Sequence, residues 1–123
     1  MAKMDQLLQE FRTELGGDFI ATDVVGTDGI SIASNYADAS IDSSAVSARF
    51  AMVMKLASKV SDKLSLGEVA DNMATSDQMI ILTRLLGDGS YFWSVGIPKD
   101  ATLGSVRLTM DEYAGQIWDA IPH

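Results

Sequence analysis

The stretch Val24-Val25-Gly26-Thr27-Asp28-Gly29-Ile30-Ser31-Ile32-Ala33-Ser34 carries the signature of a β-hairpin. Its Asp28-Gly29 pair stands between two segments that are rich in β-branched residues. A type I′ turn needs a positive φ at both central residues, and aspartate and glycine tolerate that conformation. The sequence therefore predicts two antiparallel strands, at 19–27 and 30–34, joined by a type I′ turn.

Amphipathic helices are predicted on both sides of this hairpin. On the C-terminal side, Asp42, Ser43 or Ser44 can cap a helix that runs to about residue 64. On the N-terminal side, a helix ends at Gly16-Gly17, as a glycine C-cap would end it. The apolar stripe of this first helix is formed by Met4, Leu7, Leu8, Phe11 and Leu15.

Three further strands and a last helix complete the pattern. The strands are predicted at 68–75, 79–86 and 91–97, with turns at 76–77 and 87–90. The last helix covers about 102–121. Because hairpin connections make a sheet antiparallel, the order αββαβββα predicts a three-layer α/β sandwich of the α+β class, with a five-stranded antiparallel sheet and helices on both faces. Without a linker or an internal repeat, residues 1–123 are predicted to form a single domain.

Composition excludes several kinds of chemistry. The 123 residues contain no cysteine, and the only histidine is the last residue, so disulfides, thiol catalysis and histidine-based triads or metal sites are not expected. The net charge of −8 argues against a nucleic-acid binder and against an anionic-membrane binder. The N-terminus does not resemble a signal peptide, and no apolar run reaches the length of a membrane span. We expect a cytoplasmic protein without membrane insertion, cofactor or metal.

Glycines and acidic residues that could suggest a site have simpler interpretations. The pairs Gly26/Gly29 and Gly87/Gly89 lead into strands, so they are interpreted as turn glycines rather than phosphate loops. The pairs Asp38/Asp42 and Asp23/Asp28 lack the spacing of a calcium loop and are interpreted as loop and cap residues. Asp23, in the middle of a strand, receives no role.

Candidate catalytic residues are equally weak. Ser31, Ser34 and Ser94 have no histidine partner and no nucleophile elbow. Arg49, Arg84 and Arg107 are conceivable arginine fingers supplied in trans, but only Arg49 lies on the interface predicted below, and a salt-bridge role is favoured even there. The chain is therefore predicted not to be an enzyme.

The middle helix is predicted to carry an interface on its outer side. One apolar stripe is expected to pack on the sheet: Val46, Phe50, Val53, Ala57, Val60 and Leu64. The outer side then holds small and flexible residues where charges are usual, which permits close approach by a partner. Residues 43–65 also carry a net charge of +3, which leaves −11 on the rest of the chain and favours an acidic partner surface.

The edge strand at 68–75 is the second predicted interface element, because an unpaired edge needs protection and a second copy could pair with it. Together, the predicted interface residues are Ala48, Arg49, Ala51, Met52, Lys55, Leu56, Lys59 and Lys63 on the helix, with Val69, Asp71 and Met73 on the edge strand.

The order of elements, the hairpin stretch quoted above and Ala101-Thr102-Leu103-Gly104-Ser105-Val106-Arg107 at the start of the last helix resemble the roadblock/dynein light chain family. The resemblance extends over about residues 5–121. It implies a homodimer or heterodimer formed by the middle helix and the third strand, with a continuous ten-stranded sheet. It also implies that the chain is a scaffold or regulator of a small Ras-like GTPase, as in the bacterial gliding-polarity proteins. Whether GTP hydrolysis is stimulated, and whether the dimer includes a paralogue, stays open.

A small-ligand sensor is the alternative, since profilin-like, PAS-like and GAF-like domains also combine a sheet with flanking helices. Two expectations oppose it. Helices should cover both faces of the sheet, and no cluster of convergent polar residues marks a pocket in the sequence.

Overall fold

The computed structural model describes residues 2–38, 40 and 43–122 and confirms the predicted order of helices and strands. The proposed caps at Asp42, Ser43 and Ser44 lie outside the described residues or side chains. The elements are α1 (Ala2–Leu15), β1 (Ala21–Gly26), β2 (Ser31–Tyr36), α2 (Ser43–Lys63), β3 (Asp71–Thr75), β4 (Met79–Leu86), β5 (Tyr91–Pro98) and α3 (Leu103–Ala120), with a 3₁₀ turn at Gly16–Asp18.

The five strands form one antiparallel sheet in the order β2-β1-β5-β4-β3. Helices α1 and α3 pack together on one face, and α2 lies on the other face. The predicted three-layer α+β sandwich is therefore confirmed. Strand β3 begins at Asp71 and is therefore shorter than predicted. Among residues 68–70, only Ala70 still bonds to β4: its carbonyl oxygen accepts from the Leu85 N–H at 3.3 Å.

Side chains that alternate between the two faces of β1 and β5 contribute to an apolar core on each side of the sheet. Val24 and Trp93 point toward α1 and α3, whereas their neighbours Val25 and Phe92 point toward α2. Trp93 is fully buried, and the ring of Phe11 meets it edge-on at a centroid distance of 4.9 Å. The predicted stripe of α1 is confirmed, except that Leu15 is only half-buried.

The hairpin forms, but the prediction of a type I′ turn is wrong. Gly29 has a φ of +86°, whereas Asp28 does not have a positive φ. The Gly29 N–H donates to the Gly26 oxygen at 2.9 Å, and the pairing of β1 with β2 shifts register between Val24 and Val25. This is a hairpin with a left-handed glycine and a bulge. Gly29 also permits close approach, since a Cβ there would lie 3.4 Å from Ala48 Cα in α2.

Tyr113 connects the two helices of the larger core. Its hydroxyl donates to Glu14 Oε1 at 3.0 Å. Burial raises the pKa of Tyr113 to about 12, and the hydrogen bond to Glu14 and the charges of Glu14, Glu10 and Glu112 act in the same direction.

We expect Glu14→Gln to lower the pKa of Tyr113, because the substitution removes the nearest negative charge. The folded pKa lies above the unfolded value of about 10, so this tyrosine stabilises the fold below about pH 10 and loses that effect as the pH rises toward 12. Alkaline titration of tyrosinate absorbance measures the pKa, and unfolding at several pH values measures the stability. Glu68→Gln, an exposed carboxylate before β3, is the control. Identical alkaline titrations of Glu14→Gln and wild type would contradict the assignment.

Candidate functional site

Helix α2 rests on the sheet through a small set of side chains. Met54 is fully buried and Ala51 is 3% exposed, and both pack with Val25 and Phe92 of the central strands. Ser61, two residues before the end of the helix, is also buried and donates to the Gly67 oxygen. The prediction that Ala51 lies on the interface surface is wrong, because its methyl group belongs to this contact.

The predicted sheet-facing stripe of α2 is wrong in its orientation. Three of its residues are half-buried (Val46, Phe50 and Ala57) and three are exposed (Val53, Val60 and Leu64). At 3.6 residues per turn, the helix is rotated by about a quarter turn from the predicted orientation. The prediction assumed that the most apolar side of a helix faces the core. Here the bulky Phe92 of the sheet packs against the small Ala51 and the flexible Met54 instead.

The rotation exposes an apolar strip on the outer side of α2. We define the apolar strip as five residues with exposed fractions between 42% and 69%: Met52, Val53, Leu56, Val60 and Leu64. Exposed apolar groups that adjoin one another over several helical turns are typical of interaction surfaces. Met52 and Leu56 were predicted on the outer surface, whereas Val53, Val60 and Leu64 were wrongly assigned to the core.

Five residues predicted for the interface are exposed on α2: Ala48, Arg49, Lys55, Lys59 and Lys63. Of these, Arg49 and Lys63 fall within the angular range of the apolar strip. At 3.6 residues per turn, Lys55 and Lys59 fall on the flank opposite Val53 and Val60. We call Lys55 and Lys59 the basic flank. Whether any of these residues binds a partner stays a prediction.

Strand β3 is an edge strand, as predicted, and pairs only with β4 among the described residues. Asp71 and Met73 point to the side of the sheet that carries α3, where Arg107 donates to the Asp71 carboxylate at 3.1 Å and approaches the Met73 sulfur at 3.9 Å. They do not share a face with α2. Val69 precedes the strand and is half-buried against the small core beneath α2.

A row of polar side chains crosses the face of the sheet beneath α2. The strand register aligns Ser34, Asp23, Ser94, Thr83 and Asn72. Asp23, Ser94 and Thr83 are buried, and the hydroxyls of Ser94 and Thr83 are 3.0 Å apart. Asp23, which the sequence argument left without a role, accepts hydrogen bonds from Ser31 Oγ and, at 3.1 Å, from Tyr36 Oη. Only strand register could have revealed this row, since its members are far apart in the sequence.

A cleft of about 140 Å³ opens between this row and the N-terminal half of α2. Val46 and Phe50 form its helical wall, and Met79 and Ile81 of β4 lie opposite. Asp23, Tyr36 and Ser94 also border the cleft, but their polar atoms already have protein partners: Asp23 accepts from Ser31 and Tyr36, and the Ser94 hydroxyl lies 3.0 Å from that of Thr83. The surface that faces the cleft is almost entirely apolar, and among the described residues no convergent polar cluster marks it.

Other residues considered for chemistry have structural roles. Arg84 donates to Asp111 at 2.7 Å and Arg107 to Asp71, so both arginines tie α3 to the sheet. The backbone and hydroxyl of Ser40 donate to Asp38 and lower the pKa of that carboxyl, which confirms Asp38 as a loop residue. Asp28 accepts from Ile30 N in the hairpin turn.

Across residues 2–38, 40 and 43–122, no group of three or more aspartate, glutamate or histidine side chains is arranged to hold a metal ion. None of the helices in that part of the chain combines the length and apolarity that a membrane crossing requires.

Comparison with solved structures identifies the architecture. MglB of Myxococcus xanthus superposes with a TM-score of 0.87 at 13% identity, over 97% of this chain and 94% of that one. A roadblock/LC7 domain from Streptomyces avermitilis gives 0.82 at 13% identity over 92% of each chain. A chain of the LokiProfilin1/rabbit actin complex gives 0.62 at 14% identity over 98% of each. No protein-family model matches the sequence, and no curated protein matches it significantly.

The chain is thus an α+β protein of the roadblock/LC7 fold, with a wider likeness to profilin. Within that fold, its structure matches those of the gliding protein MglB. At these identities the likeness establishes the fold, and the expected resemblance to the roadblock family is confirmed at that level.

We expect Met54→Ala to destabilise the fold by about 2–5 kcal/mol, because it leaves a cavity in the contact that holds α2. Met52→Ala is the matched control, since the same side chain is removed from a position that is 69% exposed, and it should change stability by less than about 0.5 kcal/mol. Urea unfolding at two protein concentrations measures both and separates folding from association. Equal losses in the two variants would contradict the orientation of α2.

Proposed function

We propose that this chain is a non-enzymatic scaffold or regulator that forms a dimer through α2 and β3 and binds a small Ras-like GTPase, which it holds or whose GTP hydrolysis it modulates. The observation that carries the proposal is the exposed apolar strip of α2 next to an unpaired edge strand. The homodimer is the simplest form, and a heterodimer with a paralogue is its variant.

The apolar strip supports self-association because water contact with five large apolar side chains is unfavourable. Burying apolar surface is worth about 25 cal/mol per Å². The strip runs from Met52 along α2 to Leu64, the residue that follows its end, so a second helix laid against it could cover the whole length.

The edge of β3 supports the same contact. On the α2 side of the sheet, the register places Asn72 opposite Thr83 and Ala74 opposite Ile81, and Ala74 is exposed. A second copy that pairs with β3 would satisfy the unpaired backbone groups of the edge and extend the sheet. Its α2 would then lie close to the apolar strip of the first copy.

The basic flank supports an acidic partner. Lys55 and Lys59 lie on the side of the apolar strip away from Val53 and Val60, where Lys59 borders Met52 and Lys55 lies farther from the strip. In a homodimer, two such flanks would stand on an otherwise acidic body, since residues 43–65 carry +3 and the remainder −11. Charge complementarity of this kind accelerates and orients association with an acidic surface. The roadblock fold and the family resemblance supply the reason for a GTPase as that partner.

We expect the wild-type chain to show about twice its 13.2 kDa mass in light scattering at micromolar concentrations, and Met52→Glu to shift the mass toward the monomer. A buried carboxylate in the apolar strip would be costly to desolvate. Leu108→Glu on α3 is the matched control, because Leu108 is 66% exposed on the opposite layer and should leave the dimer intact. A folded Met52→Glu variant that stays dimeric would contradict the interface. A wild-type monomer at every concentration would contradict the homodimer.

Binding of small GTPases from the same organism tests the second half of the proposal. We expect at least one to bind the wild-type chain, and Lys55→Glu/Lys59→Glu to weaken that binding at least tenfold while leaving the dimer mass unchanged. Lys3→Glu/Lys99→Glu changes net charge equally at exposed positions outside α2 and is the control. Equal weakening by the two double variants would show that only net charge matters and would contradict the basic flank. Absence of binding by every GTPase tested would contradict the proposed partner.

A further inference from the structure

The cleft beneath α2 has the dimensions of a small-molecule site. Its volume is about 140 Å³, and an apolar cavity of about 150 Å³ in another protein accommodates one benzene ring. Its floor is deep in the fold, since Asp23 is 3% and Ser94 8% exposed. The opening is thus a pocket between helix and sheet, distinct from the apolar strip on the outer side of α2.

The space exists because the sheet carries small residues there. The register aligns Ala21, Gly96 and Ile81 across β1, β5 and β4, and all three line the cleft. Gly96 has no side chain, and the atom nearest to a Cβ built on it is the Met79 Cε, at 2.6 Å. Met79 therefore lies over the glycine, and its flexible side chain can move to admit a ligand. In the row that holds α2, by contrast, Val25 and Phe92 fill the space beneath the helix.

The apolar lining selects among ligands. Asp23 and Ser94 border the cleft and are both more than nine-tenths buried, but their oxygens already bond Ser31, Tyr36 and Thr83. The surface that faces the cleft is therefore almost entirely apolar. A charged ligand would lose its hydration there without a compensating partner, which is costly.

We propose that this cleft binds a small uncharged molecule with an apolar body of about one aromatic ring. The volume limits the body of the ligand, and the apolar walls select against charged and strongly polar molecules. The proposal does not depend on the dimer or on a GTPase.

Titration with phenol tests the proposal, with benzoate as an anion of similar size. Ala21→Val adds two methyl groups inside the cleft, and Ala74→Val makes the same change in the same row of the sheet, on β3 and outside the lining. We expect phenol to bind wild type and Ala74→Val with equal affinity, and benzoate to bind at least tenfold more weakly. Ala21→Val should weaken phenol binding at least tenfold. Calorimetry gives the affinities, and circular dichroism establishes that each variant is folded. If Ala21→Val does not fold, Gly96→Ala replaces it.

Each contrary result overturns a defined part of the proposal. Absence of phenol binding to wild type overturns the site itself, and equal phenol affinity in Ala21→Val shows that the probe binds elsewhere. Benzoate that binds as tightly as phenol overturns the selection against charge by the apolar lining. If no probe binds and Ala21→Val changes the dimer mass, the cleft belongs to the contact between two copies and not to a ligand.

Discussion

The packing of Met54 and Ala51 onto Val25 and Phe92 determines how α2 is rotated, and the rotation determines every surface discussed above. With Met54 inward, Met52 and Leu56 must point outward, since positions two residues apart lie on nearly opposite sides of a helix. The same rotation lifts Val46 and Phe50 to the edge of the contact and leaves the cleft beside them. One small apolar contact therefore sets the position of the apolar strip, the basic flank and the cleft.

Sequence was sufficient for features that depend on local chemistry. The glycines of the turns and the stripe of α1 helped to predict the order of elements and the layers, because each signal is contained in a short segment. The rotation of α2 was not accessible in the same way. Two sides of that helix are apolar, and the choice between them is made by Phe92, which follows the end of α2 by nearly thirty residues. The contact with the sheet, and not the most apolar stripe of α2, therefore determines which side of this helix faces the core.

The buried polar row shows the same limit at the candidate sites. Asp23 was conspicuous in the sequence because a charged residue in mid-strand is unusual, but its hydrogen-bond donors Ser31 and Tyr36 could be assigned only from the fold. A buried carboxylate without such donors would destabilise the fold, so Asp23 depends on the hydrogen bonds from Ser31 and Tyr36. The type I′ prediction also failed: only Gly29 of the turn pair has a positive φ, and the pairing of β1 with β2 shifts register between Val24 and Val25.

The two helical layers of the sandwich pack on the sheet through apolar cores of unequal size. The layer of α1 and α3 shares a large buried core with the sheet, whereas α2 is attached through a much smaller cluster. Substitutions on the outer side of α2 therefore cost little folding energy, so this surface can drift in sequence while the scaffold persists. A lineage built on such a sandwich can exchange one binding specificity for another by point mutation, which separates the evolution of recognition from the evolution of the fold.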